Sequence, residues 1–145
     1  LAVFVKFHAT HKEERDPEMI EQVILKNHIN HINAKPLNGI YIKNSVEGTG
    51  KKIAQGDVIT IRYTGSFLSG LVFDTATLKD PFTFIYGTQG QVIKGLEIAI
   101  KSMREGQKSK IIIPSQLAFG EEGSSTLIVA PHTTLVYDLE IINVK

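Results

Sequence analysis

The chain has 145 residues, 42% of them apolar and 21% charged, with 12 Gly and 5 Pro, and its mean hydropathy is zero. At about 100 to 200 residues per domain this is one domain with an appendage, and the composition excludes disorder, collagen and coiled coil. A net charge of +1 and no cysteine exclude an overall field that recruits nucleic acid, as well as disulfide frameworks, zinc ribbons, iron-sulfur clusters and thiol nucleophiles.

Leu1 to Thr10 alternates apolar and other residues (Val3, Val5, Phe7) and predicts a short strand, either the closing strand of an upstream domain or an added edge strand. No apolar run approaches the ~18 residues of a membrane span, and Leu1 to Val5 is too short for a signal-peptide core. A start at Leu1 rather than Met reads as a processed product or an excerpt. With the absence of cysteine, it favours a periplasmic or envelope location over the cytoplasm.

Asp16-Pro17 is an N-cap followed by proline at the first helical position, and Glu18 and Glu21 suit the positive end of the helix dipole. A helix is predicted over Pro17 to Ile32. Its apolar positions begin as Ile20, Val23 and Ile24 and drift to Leu25, Ile29 and Ile32, and Asn33-Ala-Lys-Pro36 ends it. The stripe is expected either to form a homodimer or to dock on its own domain. The 3.6-residue pattern stops there, so a boundary is placed near Lys35 to Asn38, dividing the chain into an extension (1–38) and a domain (39–145).

Beyond Gly39 the reading is mostly strands: Ile40 to Val46, Asp57 to Gly65, Leu71 to Asp74, Phe82 to Tyr86, Gln107 to Ile113 and Thr134 to Val144. One helix interrupts them, with Val92, Leu96, Ala99, Ile100 and Met103 at helical spacing and Gly106 just past its end, where a left-handed cap is wanted. The fold class is α+β, a curved antiparallel sheet with one short helix covering a face.

Reactive constellations are mostly missing: there is no P-loop, dinucleotide fingerprint, nucleophile elbow or HExxH. Gly87-Thr-Gln-Gly90 reads as a turn. His8 with His11, and His28 with His31, are paired, but a third ligand is lacking and no metal or cofactor is expected. His132, between Pro131 and Thr133, reads as structural. The aromatics Tyr63, Phe73, Phe82, Phe84, Tyr86, Phe119 and Tyr137 fall on strands or beside them, where inward rings ordinarily fill a core. Asp74 is the odd residue, a carboxylate following Phe73 at a strand end in an apolar neighbourhood, where it needs a partner or a function.

The run from Val92 to Gly120, VIKGLEIAIKSMREGQKSKIIIPSQLAFG, resembles the signature of the FKBP-type peptidyl-prolyl cis/trans isomerases, the macrolide-binding rotamases. The EGTG of Glu47 to Gly50, the YTG with later FD from Tyr63 to Asp74, and the PHTTLVYDLEI of Pro131 to Ile141 agree in order and spacing, so the resemblance spans Gly39 to Lys145. It implies a sheet wrapped around one short helix, with a pocket between them lined by Tyr63, Phe73, Asp74, Phe82, Val92, Ile93, Ile128, Val129 and Tyr137, and floored by Leu96. In the family's pattern the floor is usually tryptophan, and tyrosine is usual where Phe119 stands. Both departures keep the site apolar, shrinking the floor and deleting one hydroxyl.

Such a pocket suits the chemistry. Rotating an amide costs ~18 to 20 kcal/mol, and uncatalysed Xaa-Pro isomerisation takes tens to hundreds of seconds, yet no bond is made or broken. A catalyst needs a dry site that holds the twisted imide better than the planar one, and ~5 to 7 kcal/mol of such preference gives roughly 10⁴ to 10⁵ in rate. By resemblance the Ile93 N–H binds a substrate carbonyl, Asp74 with Tyr63 orients the amide, Phe119 completes the catalytic set, and the aromatics seat the proline ring. The function expected is isomerisation of Xaa-Pro bonds in folding polypeptides, with macrolides as inhibitors. The alternative is a binding or chaperone module of the same fold with weak or no turnover, motivated by Leu96 and Phe119. Bacterial envelope members often carry a helical segment before the isomerase domain that dimerises or tethers it, and Pro17 to Ile32 is similar in position.

Overall fold

The computed structural model describes residues 17–126 and 128–145. The expected strand at Leu1 to Thr10, the His8–His11 pair and the Asp16 cap lie outside them.

Helix α1 (Pro17–Ile32) leads into strands β1 (Lys35–Leu37), β2 (Ile40–Val46), β3 (Val58–Phe67), β4 (Val72–Ala76) and β5 (Phe82–Ile85), then helix α2 (Lys94–Lys101), strand β6 (Lys108–Ile113), a 3₁₀ turn (Ser115–Leu117) and strand β7 (Leu135–Val144). All seven strands pair antiparallel in the order β1-β2-β6-β7-β3-β4. β5 shares the outer edge of β3 with β4, pairing Val58 to Ile61 while β4 takes Tyr63 to Ser66. Each of the six strands expected beyond Gly39 is present, with ends shifted by no more than two residues.

Between the leader helix and β2 the chain adds a short strand to the sheet. Residues 35–38, where the domain boundary was placed, form a hairpin: Leu37 pairs with Ile40 around Asn38 (φ 47°) and Gly39 (φ 97°). Both turn residues are left-handed, the conformation a two-residue Asn-Gly turn requires to match strand twist. The leader helix docks on its own domain, one of the two outcomes expected of its apolar stripe, so the sheet is covered on both faces. On the inner face α2 packs Leu96, Ala99 and Ile100 against Ile111, Ile113, Tyr137 and Ile141. Gly95 permits this approach, since a β-carbon there would lie 2.3 Å from Ile113 Cγ2. On the outer face α1 packs Leu25 and Ala34 against Ile112 and Val136, with Ile29 and Ile32 alongside.

Adjacent residues of β6 thus serve opposite layers, Ile111 and Ile113 one and Ile112 the other, because strand side chains alternate. Of the expected α1 stripe, Leu25, Ile29 and Ile32 pack inward, whereas Ile20, Val23 and Ile24 are exposed. Glu21, placed by the sequence at the positive end of the helix dipole, is buried. The helix closes through Asn33 (φ 59°), with the Ala34 N–H bonded to the Ile29 carbonyl, a Schellman ending. α2 is shorter than its apolar spacing suggested and stops at Lys101 with Ser102 as its cap. Gly106 is left-handed (φ 88°), but it serves the turn into β6 instead of capping the helix.

Candidate functional site

The concave face carries a connected set of rings. Tyr137, buried in β7, pairs with Gly65 of β3 across the ladder. A β-carbon at Gly65 would lie 2.9 Å from Tyr137 Cε1 and 3.1 Å from Phe73 Cζ, so this glycine lets both rings close over the strand. Tyr63 and Phe73 meet Tyr137 edge-on at centroid distances of 5.5 and 6.0 Å, geometries the ring quadrupoles favour. Phe67 stacks on Phe73 at 4.9 Å, and Phe82 on Phe84 at 5.5 Å. Phe67 is absent from the sequence-based set because it lies at the end of a strand predicted to stop at Gly65.

Asp74 does not sit at a strand end, as expected, but in the middle of β4, and it is exposed. The register steps from Gly65↔Asp74 to Ser66↔Val72, leaving Phe73 as the unpaired residue of a bulge. Solvent therefore removes the expected need for a partner, yet the Tyr63 hydroxyl donates to Asp74 Oδ2 at 2.8 Å. Burial first, then that hydrogen bond and the field of the carboxylate, push the Tyr63 phenol well above its ordinary 10.0. Burial, with smaller contributions from Tyr63 and Asp74, does the same for Tyr137. The shift favours the neutral phenol in both, and Tyr63 donates its proton to Asp74.

The far side of the recess is built by α2 and the segment after β6. Leu96 is buried beneath the rings, with Phe82, Val92, Ile93 and Phe119 partly buried around the same core and Val129 inside it. Ile93 is the N-cap of α2, extended at φ −64° and ψ 155°, and its carbonyl accepts the Leu96 and Glu97 N–H groups. Its own N–H stands outside the helical ladder, as the first amides of any helix do. Ile128 is 58% exposed, an apolar side chain at the tip of the loop. The structure thus brings nine of the eleven expected site residues into or against the inner-face core, with Asp74 joined to them through Tyr63 and Ile128 exposed on the loop.

Two grooves lie elsewhere. One of about 350 Å³ reaches Tyr63, Ala76 and Leu139 and is lined by the charged residues Arg62, Lys108, Asp138 and Glu140. There Arg62 pairs with Glu140 and Lys110 with Asp138, so its charges are internally compensated. The other, about 460 Å³, runs along Val23, Leu25, Lys26 and Ile29 of α1 to Tyr41. Neither offers the apolar, ring-lined surface of the recess.

A family model described as FKBP-type peptidyl-prolyl cis-trans isomerase matches residues 49–142. The FK506-binding protein of Neisseria meningitidis serogroup B is 37% identical over 109 residues, covering 74% of this chain and 98% of that protein. The Mus musculus peptidyl-prolyl cis-trans isomerase FKBP2 is 38% identical over 107 residues, 73% of this chain and 75% of the relative. A solved peptidyl-prolyl cis-trans isomerase of Pseudomonas syringae superposes with a TM-score of 0.79 at 29% identity, covering 91% of this chain and 96% of that one.

Proposed function

The chain belongs to the FKBP-type peptidyl-prolyl cis-trans isomerases, and on that premise we propose that its catalytic recess is the one between β3, β4, β7 and α2. The activity is cis-trans isomerisation of prolyl peptide bonds. Proline-containing polypeptides are its substrates.

The observation that carries the site is the Tyr63–Asp74 pair, 2.8 Å apart, at the rim of an otherwise apolar, ring-lined recess. A planar imide has a charge-separated resonance form that water stabilises and an apolar wall does not. Twisting the bond uncouples nitrogen from carbonyl and removes that charge separation, so transfer into the recess favours the twisted form over the planar one. Tyr63, Phe73, Phe82 and Tyr137 seat the proline ring over Leu96, while Val92 and Val129 complete the wall. The Ile93 N–H holds a substrate carbonyl, and Asp74, fixed by Tyr63, orients the amide. Phe119 closes the edge without a hydroxyl, and Ile128 covers the residues flanking proline. The same recess takes macrolides, the ligands its relatives' names record. The exposed Met19, Ile20, Val23 and Ile24 along α1 support a homodimer, which light scattering of the full chain tests: a monomer at high concentration refutes it.

The site is tested by exchange NMR on an Ala-Leu-Pro-Phe peptide. Wild type is expected to accelerate exchange and Asp74→Ala to lose at least about tenfold. Equal turnover in both would remove the pair from the mechanism.

A further inference from the structure

We infer that Glu21, in the leader helix, is a positioning residue for the loop that closes the proline recess; the inference rests on the recess assigned above. Glu21 is 4% exposed. Its carboxylate accepts the Ser115 N–H at 2.9 Å, the Ser115 hydroxyl at 2.6 Å and the Thr134 hydroxyl at 2.6 Å. Three donors satisfy a carboxylate, which only accepts. Docking alone does not call for one there, because apolar replacements of buried charge are often neutral or stabilising.

What distinguishes the position is where its partners lie. Ser115 and Thr134 are the two feet of the segment that carries Phe119, Ile128 and Val129. From the first foot the order propagates along the backbone: the Ser115 carbonyl accepts the Ala118 N–H at 2.9 Å and the Gly120 N–H at 2.7 Å, bracketing Phe119. The Gly120 carbonyl then takes the His132 N–H at 3.0 Å, two residues before the second foot. Farther out, the Val129 N–H meets the Ser124 hydroxyl at 2.9 Å and the Ser124 N–H meets the Val129 carbonyl at 2.8 Å. One carboxylate from outside the catalytic unit therefore pins both ends of the loop, leaving Ile128 at its tip exposed. The leader helix thereby sets the width of the substrate cleft from the opposite face of the sheet.

The test compares Glu21→Ala, Glu21→Gln and Thr134→Val with Leu25→Ala, which opens a cavity under the same docked helix and leaves Glu21 and both feet in place. In the full chain, kcat and KM for the proline peptide, the thermal midpoint and the backbone amide shifts of residues 115–134 are measured. Glu21→Ala is expected to lower kcat/KM about tenfold, mostly through KM, and to move the amides of Phe119 and His132. Glu21→Gln, which keeps an acceptor for the Ser115 N–H, recovers most of this, and Thr134→Val gives a smaller loss of the same kind. Leu25→Ala is expected to lower the midpoint at least as much while keeping kcat/KM within about twofold. If Glu21→Ala and Thr134→Val lose no more activity than Leu25→Ala, or leave the loop amides unmoved, the inference is wrong. Should Glu21→Ala fail to fold, Thr134→Val and Glu21→Gln decide by the same two readouts. Asp74→Ala separates the two readings: turnover unaffected by Asp74→Ala overturns the recess, whereas loop shifts on changing Glu21 report the strap independently.

Discussion

Phe73 and Asp74 are consecutive in β4 yet serve the same side of the sheet, the ring lying against Tyr137 at 6.0 Å and the carboxylate accepting from Tyr63 at 2.8 Å. Alternation would have turned one of them to the opposite face. The bulge opposite Gly65 and Ser66 removes that conflict by leaving Phe73 unpaired, the re-aiming that such irregularities provide beside active sites.

The Tyr63–Asp74 pair is expected to act as a unit. Tyr63→Phe removes one hydrogen bond, worth about 0.5 to 1.5 kcal/mol, so kcat/KM should fall about twofold to tenfold. Asp74→Ala should cost more, and the double variant little beyond Asp74→Ala. Exchange NMR on all four proteins gives the cycle, and additive losses would mean the two groups work separately.

Gly65→Ala places a methyl group 2.9 Å from the Tyr137 ring and 3.1 Å from Phe73. Overpacking of this kind costs about 1 to 3 kcal/mol. Denaturant unfolding should show that loss, with a parallel fall in turnover as the two rings are pushed apart. Unchanged activity would place the rings outside the catalytic wall.

Gly95→Ala meets Ile113 Cγ2 at 2.3 Å, and Ile113 is fully buried. Alone the substitution should destabilise by about 1 to 3 kcal/mol. Combined with Ile113→Ala, which itself costs about 2 to 5 kcal/mol, the total should be less than the sum, because the shortened side chain vacates the clash. Urea midpoints of the two singles and the double measure the coupling.

Phe119→Tyr restores a hydroxyl at the edge of the recess. One added hydrogen bond should tighten a macrolide by about twofold to tenfold. Calorimetric titration of wild type and variant reads this directly, and equal affinities would show that the hydroxyl finds no ligand acceptor.

His28, on the sheet-facing side of α1, is held below its ordinary 6.5 by burial first, then by Lys110 of β6 and His31 of its own helix. Above pH 6.5 the ring is neutral whether the chain is folded or not, and stability does not depend on it. Below that, the unfolded chain takes up a proton that the folded chain resists, so stability falls with pH until the folded ring also protonates. Urea midpoints at pH 7.5 and 5.5 should separate more for wild type than for His28→Gln. An equal separation would exclude the imidazole.

Much of the sheet was legible because strand periodicity and turn residues are local signals. Leu135, Tyr137, Leu139 and Ile141, and Ile59, Ile61 and Tyr63, alternate along their strands, and all but the partly exposed Tyr63 are buried. The Asn38-Gly39 turn was equally legible. It follows the end of the helical pattern and carries the chain into the sheet.

By itself the sequence determined six of the seven described strands and the helix that covers them, because each follows from the period of the chain and its turn residues. Only the tertiary structure decided that a bulge aims Phe73 and Asp74 together, that Gly65 and Gly95 are contact points for Tyr137 and Ile113, and that Glu21 reaches Ser115 and Thr134. Those relations join residues brought near one another by strand register and helix docking, such as Glu21 and Thr134, 113 positions apart in the chain, and no local pattern encodes so distant a neighbour.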